Sequence, residues 1–293
     1  MRFAFIGAGA VGGWFGGRLL AAGHDVAFVA RGATLDVLRR EGLRLNDEAP
    51  VPVETAGSLA ELGECDVVFL MVKATEDTDL EALLAGLGAS TPVAVTQNAV
   101  EMPGRVAAVV GGARTWPGVV RGFFHHTGPG RVEFHGGPSS YVFGTFDASD
   151  PAHLQPVAEA LEAAGIAATV HPEILLDVWE KAMFVTCFGG LGAVTGKPLG
   201  YLRTSMRDSL ASLMREVRAV ALAEGVPLSD DVVERTMAFA DRMPATATSS
   251  MQRDIAAGDP GELDAQVGAV VRLGAVHGVD TRLHSLIFSL LEG

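Results

Sequence analysis

The stretch FAFIGAGAVGGWFGG, residues 3–17, carries no charge between Arg2 and Arg18, and six of its fifteen residues are glycine. Three structures satisfy such a run: a secretory leader, a membrane helix, or a buried strand that turns into a helix. A leader needs a glycine-poor apolar segment ending in a small-residue cleavage site, which this run lacks. A membrane helix needs about eighteen or more consecutive apolar residues, and glycine this dense breaks the pattern. The third structure remains. RFAFI reads as a strand, and Gly7-Ala8-Gly9-Ala10-Val11-Gly12 places glycines in the G-x-G-x-x-G spacing where a helix opens. In that context Gly7 permits the tight turn and Gly9 the close approach of a pyrophosphate. Gly12 lets helix and strand pack, with the anion at the helix N-terminus. A glycine-rich packing turn without a ligand is the blander alternative.

The rest of the chain supports the dinucleotide reading. HDVAFVA, CDVVFLMV and PVAVTQ repeat the pattern of short apolar runs followed by helical stretches, as expected of parallel strands buried on both faces. RVEFHGG and SYVFGTF read as shorter strands that extend the sheet in antiparallel fashion. Ser149, Asp150 and Pro151 are a start signal for a helix. Beyond about residue 170 the periodicity is helical throughout. The expected fold is therefore α/β, a Rossmann-type doubly wound sheet over residues 1–169, followed by an all-helical substrate domain over 170–293. A cleft between the two is the default ligand site.

The second strand should end in an acidic residue if the cofactor were NADH, since a carboxylate there holds the ribose hydroxyls. HDVAFVAR ends in Arg31 instead, and Asp25 sits too early, at the strand's start. An arginine at that tip accommodates a 2′-phosphate, so NADPH is the expected cofactor; an ordinary surface arginine is the alternative. Lys73 and Asn98 close two further strands on the same ligand-facing edge.

A net charge of −13 argues against nucleic acid or anionic lipid as partner. Two distant cysteines, Cys65 and Cys187, indicate neither a disulfide framework nor a zinc site, and suit a reducing cytoplasm. The sequence points to no metal. His125-His126 reads as a cofactor-edge or loop pair without a third ligand, Trp14 as core, Lys197-Pro198 as a structural turn and Cys187 as a small apolar filler. Amphipathic helices in the second half are the surface through which a homodimer would form, although nothing compels one. Of 22 basic residues only Lys73, Lys181 and Lys197 are lysine. Where arginine serves every other role, a surviving lysine points to a titratable ammonium. Lys181 precedes fifteen uncharged residues, a setting that desolvates an ammonium and lowers its pKa. From periodicity alone, an i,i+4 pair between Asp177 and Lys181 is the favoured reading.

Taken together, GAGAVG, Arg31, MVKA, QNAVE, LDVWEKAMFV and SSMQRDIAAGDPGELDAQVGAVVRLGAVHGV, in this order, resemble the ketopantoate reductase family over nearly the whole chain. The resemblance implies NADPH-dependent reduction of a small 2-oxo acid. It implies Lys181 as general acid, and Glu262 as the acidic residue near substrate and cofactor, where the residues alone suggest a solvated charge at a helix start. Ser250 becomes a substrate-binding hydroxyl, Asn98 the asparagine between nicotinamide and substrate, and Lys73 and Arg31 cofactor contacts. Several family asparagines are replaced, by Val185, Gly189, Leu199 and Ala247, and QNA stands where the family often has QNG. The parts for reducing a 2-oxo acid remain, while those for ketopantoate's hydroxymethyl group are mostly missing. Ketopantoate leads the expected substrates, followed by a less hydroxylated 2-oxo acid or ketone. An NADPH-binding sensor or partner protein with little turnover is the non-enzymatic alternative.

Overall fold

The computed structural model describes residues 1–75, 77–259 and 261–292. The chain divides into two compact units, one made of Met1–Val72, Asp79–Gln97 and Met102–Ile174, the other of Lys73–Thr78, Asn98–Glu101 and Leu175–Gly293. Two short segments that follow strands of the first unit are thus counted with the second.

The first unit holds strands β1 (Arg2–Ile6), β2 (Asp25–Val29), β3 (Arg44–Leu45), β4 (Glu54–Ala56), β5 (Val67–Leu70), β6 (Val93–Val95), β7 (Thr115–Arg121), β8 (Phe124–Gly128), β9 (Arg131–Phe134), β10 (Ser140–Phe143) and β11 (Ala167–Val170). Eight of them form one sheet in the order β11-β10-β7-β6-β5-β1-β2-β4. Every pairing in it is parallel except β10 with β7. Phe3, Phe5, Phe28, Phe69 and Val93 in its central strands are wholly buried, as strands covered on both faces require. Helices α1 (Ala10–Ala21), α2 (Gly32–Glu41), α3 (Leu80–Leu84), α4 (Met102–Val110) and α5 (Gln155–Ala163) belong to this unit. Before α5, Asp150 accepts the Ala152 N–H at 2.9 Å and caps one tight turn, Pro151–Leu154, so the helix proper starts later than its cap signal.

Three expectations need correction. RVEFHGG does not extend the main sheet: β9 pairs with β3 and β8 in a separate three-stranded sheet. His125 and His126 lie on β8 rather than a loop, with the His125 ring against that of His135. A boundary after residue 169 would cut β11, whose Val170 still pairs with Phe143. Its exposed-buried alternation is that of an edge strand, which carries a weak apolar signal.

The small sheet explains glycines that the phosphate motif leaves unexplained. Around α1 they form two stripes at i,i+4 spacing. On one side, a Cβ at Gly12 would collide with the Gly7 carbonyl, and one at Gly16 with the ring of Phe28 on β2. On the other, a Cβ at Gly13 would lie 2.7 Å from Val132 of β9, and one at Gly17 2.8 Å from Leu45 of β3. The helix is pressed between two sheets, and a methyl group fits on neither face. Trp14, between the stripes, is buried in this core with its ring 4.9 Å from Phe134.

The second unit contains helices α6 (Ile174–Thr195), α7 (Leu199–Ser205), α8 (Arg207–Ala223), α9 (Val232–Arg242), α10 (Ser250–Ala256), α11 (Ala269–His277) and α12 (Arg282–Glu292), with one π turn at Asp264–Gly268. Among the described residues it has no strand. Trp179, Met183, Cys187 and Phe188 of α6 pack into its core with Leu213 and Val217 of α8. Partly buried Glu216 accepts the backbone N–H groups of Leu283 and His284 (2.9 and 3.0 Å) and His284 Nδ1 (2.6 Å), capping α12 from a neighbouring helix. Burial alone would raise this carboxyl, but those three hydrogen bonds outweigh it and hold it below the usual range. His284 turns its other nitrogen toward Cys187 Sγ at 3.9 Å. Burial pushes that thiol's pKa well up, so Cys187 packs as an apolar side chain. No described helix is long and apolar enough to cross a membrane.

Replacing Gly16 with Ala should destabilise the fold by about 1–3 kcal/mol through overpacking against Phe28. Urea denaturation checks this: the midpoint should fall with the slope unchanged. A stable variant would mean that α1 can retreat from the sheet.

Candidate active site

In the first unit, pairing places the glycine turn between neighbouring strand ends. Ile6 of β1 pairs with Val29 of β2 and Leu70 of β5, and the Gly7 N–H donates to the Val29 carbonyl at 2.9 Å. Gly7 has φ +104°, and a Cβ there would lie 3.0 Å from Val72 Cγ1, so only glycine serves. Gly9 differs. As the residue before α1 it has no side-chain cap, and a Cβ on it would meet nothing within 4 Å. With no acidic residue in the first turn, the positive end of α1 faces open space. The cradle therefore fits a pyrophosphate.

Arg31 is exposed two residues beyond β2, at the residue that opens α2. Asp25, the nearest acidic residue of that strand, lies at its opposite end and pairs with Arg2. Sequence reasoning passed over Gln97, the residue after Thr96 at the end of β6. Both its amide atoms are buried without a hydrogen-bond partner among the described residues, as a group awaiting a ligand would be.

In the second unit a carboxylate sits among cations. Glu262 accepts the Ala74 N–H on Oε1 and the Gln266 side-chain amide on Oε2, both at 3.2 Å. Burial, the largest influence, raises its pKa. The Ala74 N–H, the charges of Lys73 and Lys181 and the Gln266 amide oppose that rise without cancelling it. Lys181, partly buried in the second turn of α6, is thus electrostatically coupled to Glu262, while its neighbour Glu180 is paired with Arg235 of α9 at 2.7 Å. Lys73 donates to Asp254 of α10 at 2.9 Å and lies 3.7 Å from Asp259. Burial would lower the Lys73 pKa, but the hydrogen bond to Asp254 and three neighbouring carboxylates raise it. Nothing in the sequence singles out Asp254, because its partner is 181 residues away, beyond the reach of any spacing rule.

Asn98 stands in the segment Asn98–Glu101, partly buried, followed by buried Ala99. Ser250 opens α10 and is exposed, while the cap of that helix is Ser249, whose Oγ accepts the Gln252 N–H at 2.9 Å. Ser249 Oγ is also the hydroxyl beside Gly189, 3.2 Å from where its Cβ would stand. Val185, one turn beyond Lys181, is partly buried. Leu199 is fully buried, its N–H bonded to the Ala247 carbonyl at 2.9 Å, and Ala247 packs against the helical core. At positions 199 and 247, where the resemblance implies asparagines, the chain builds core.

Residues 3–148 match the family model described as ketopantoate reductase PanE/ApbA, and residues 173–293 match its C-terminal counterpart. The 2-dehydropantoate 2-reductase of Mycobacterium tuberculosis is 31% identical over 295 residues, covering 98% of this chain and 96% of that protein. The enzyme of that name from Mesorhizobium japonicum is 29% identical, covering 100% and 97%. Among solved structures, 2-dehydropantoate 2-reductase from Methylococcus capsulatus superposes with a TM-score of 0.90 at 25% identity, covering 100% of this chain and 96% of that one. D-Mandelate dehydrogenase, solved with NADH, shares the fold at 22% identity, with a TM-score of 0.89 and coverage of 100% and 97%. These matches place the protein among oxidoreductases acting on a CH–OH group. Within that class, the chain belongs to the ketopantoate reductase family.

Because its folded pKa is raised, Glu262 should titrate above its ordinary 4.5. Its contribution to stability should decline as pH rises from about that value through the folded pKa. Carboxyl NMR of the labelled protein, compared with Glu262→Gln, reads both. Substituting Lys73 with Met should move the titration higher still by removing an opposing charge. A Glu262 value at or below 4.5 would show a solvated carboxylate.

Proposed function

We propose that this enzyme uses NADPH to reduce a small 2-oxo acid to the 2-hydroxy acid, with 2-dehydropantoate as the leading substrate. The observation that carries this reading is the partly buried carboxyl of Glu262 under the influence of Lys73 and Lys181. Such a set holds an acidic substrate and supplies a proton where negative charge develops.

The Gly7–Gly12 turn would hold the pyrophosphate, with Arg31, Lys73 and Asn98 as further contacts to the cofactor. Arg31, with no carboxylate at the same strand tip, favours the 2′-phosphate of NADPH over NADH. When bound, the cofactor supplies a hydride to the C2 carbon of the oxo acid. Lys181 delivers a proton to the oxygen left on C2 and recovers one from solvent. Glu262, held by Ala74 and Gln266, keeps the ammonium charged and aimed, while Asn98 and Ser250 orient the substrate. The overall change consumes one proton from water per turnover.

A second substrate reading has its own support. Val185, Gly189 and the core positions Leu199 and Ala247 offer no side-chain amide, so an oxo acid with fewer hydroxyls than ketopantoate leaves no such donor unpaired. A cofactor-binding protein with little turnover would not need Lys181 beside Glu262. The charge of −13 fits neither nucleic acid nor an anionic membrane surface as partner. A cytoplasmic setting suits the two unpaired thiols.

Lys181→Ala should lower kcat by about 10²–10⁴-fold, the range for general acid catalysis, with NADPH affinity little changed. Steady-state assays on a panel of 2-oxo acids, with fluorescence titration of the cofactor, check this. Near-normal turnover would remove Lys181 as proton donor, and no oxidation of NADPH with any acid would favour the binding protein. Arg31→Ala should weaken NADPH but not NADH in the same titration; equal losses would remove the 2′-phosphate contact.

A further inference from the structure

Arg272, on α11, is assigned no part in any of this, yet it holds two carboxylates from different parts of the chain. Its Nη2 and Nε reach the two oxygens of Glu101 at 2.7 and 3.4 Å, a bidentate arrangement. Its Nη1 pairs with Asp264, and Nη2 also reaches the Asp264 carbonyl at 3.3 Å. Glu101 lies three residues after Asn98 in the segment Asn98–Glu101, whose Val100 packs on the helical core. Asp264 lies two residues after Glu262 and opens the π turn Asp264–Gly268. Within that turn Gln266 donates its backbone N–H to the Glu262 carbonyl at 3.0 Å and its side-chain amide to the Glu262 carboxylate.

We propose that Arg272 is a positioning residue, a clamp that fixes the segment bearing Asn98 relative to the turn bearing Glu262. The local structure is built for the contact. A Cβ at Gly268 would stand 2.5 Å from Asp264 Oδ1 and 3.1 Å from Arg272 Nη1, so glycine clears the space in which the pair forms. The π turn is a costly form of helix, met mostly at functional sites, and here it shapes the stretch between Glu262 and Arg272. Arginine is the side chain for this task, because a planar fork engages one carboxylate with two parallel bonds and still has a third nitrogen for the other. The side chains of Glu101 and Asp264 are 25% and 26% exposed, and that of Arg272 44%. Partly exposed pairs of this kind add little to global stability. Their consequence is geometric: without the clamp, Asn98 and Glu262 lose their common reference.

The functional arm of the test rests on the oxo-acid reductase reading; the structural arm does not. Arg272→Gln and Glu101→Gln should each lower kcat/KM for the accepted oxo acid by about 10- to 100-fold, the scale of a misplaced reacting geometry. The Tm should stay at its wild-type value, and the Kd for NADPH should rise by a smaller factor than kcat/KM falls. The double variant should be no worse than Arg272→Gln, which alone already releases both carboxylates. Arg272→Lys, which keeps the charge but not the fork, should fall between wild type and Arg272→Gln. Hydrogen exchange should quicken at residues 98–101 in both single variants. Additive losses, losses that follow a fall in Tm, or unchanged exchange at 98–101 would each overturn the proposal. If the wild type reduces no oxo acid, the functional reading fails, while the exchange measurement still decides whether the clamp exists.

Discussion

The first unit depends on the close packing of α1 between two sheets. A helix with two glycine stripes brings its backbone against Phe28 on one side and Val132 and Leu45 on the other. Helix interiors pay for glycine at roughly 0.5–1 kcal/mol each relative to alanine. Four such residues in one helix are tolerated because their gain is burial against two aromatic and β-branched surfaces. This packing sets where the phosphate turn stands. The α1 axis is fixed from both faces, so the N–H groups at its start point to a determined place, and the bare backbone of Gly9 is left to face it. The small sheet, formed by strands far apart in sequence, is in this sense a support for the anion cradle.

In the second unit the organising fact is electrostatic. A largely enclosed carboxyl is unfavourable unless its oxygens are bonded and its charge is balanced. Glu262 meets both conditions with groups from three stretches of chain: the Ala74 backbone, Gln266 one helical turn on, and the ammonium groups of Lys73 and Lys181. The balance is incomplete, and so the pKa stays raised. Lys73 is itself bonded to Asp254 and close to Asp259, so one ammonium balances three carboxylates. Such a group responds to any further charge brought near, and a carboxylate substrate is such a charge.

Much of this was legible in the sequence, because its causes are local. The central strands follow from uninterrupted apolar runs, the tight turn from β1 into α1 from glycine spacing, and the helical second half from its period. The small sheet was not legible. β3 is two residues long, β8 includes His125 and His126, and β9 is too short to reveal its partner. What made those segments strands is the glycine surface of α1 that they cover, a tertiary cause. At the site, Lys181 was visible as an unusual lysine, but its periodicity suggested a surface pair. Asp254, Gln97 and Arg272 carry no spacing signature, since their partners or their burial come from elsewhere in the chain.

On the proposed function, the face of α6 that bears Lys181 would limit what the protein recognises. Four residues beyond Lys181 is Val185, and eight beyond is Gly189, covered by Ser249 and Met251. Neither position has a side-chain donor, and Leu199 and Ala247 have been drawn into the helical core. A buried amide rejects a substrate lacking its hydroxyl because the amide would be left unpaired, whereas an apolar wall cannot strongly reject one that carries it. This helix therefore discriminates little against hydroxylated acids and pays no penalty for those without. On that proposal, selectivity would come from the groups placed to recognise the common core of a 2-oxo acid, its carboxylate and its carbonyl.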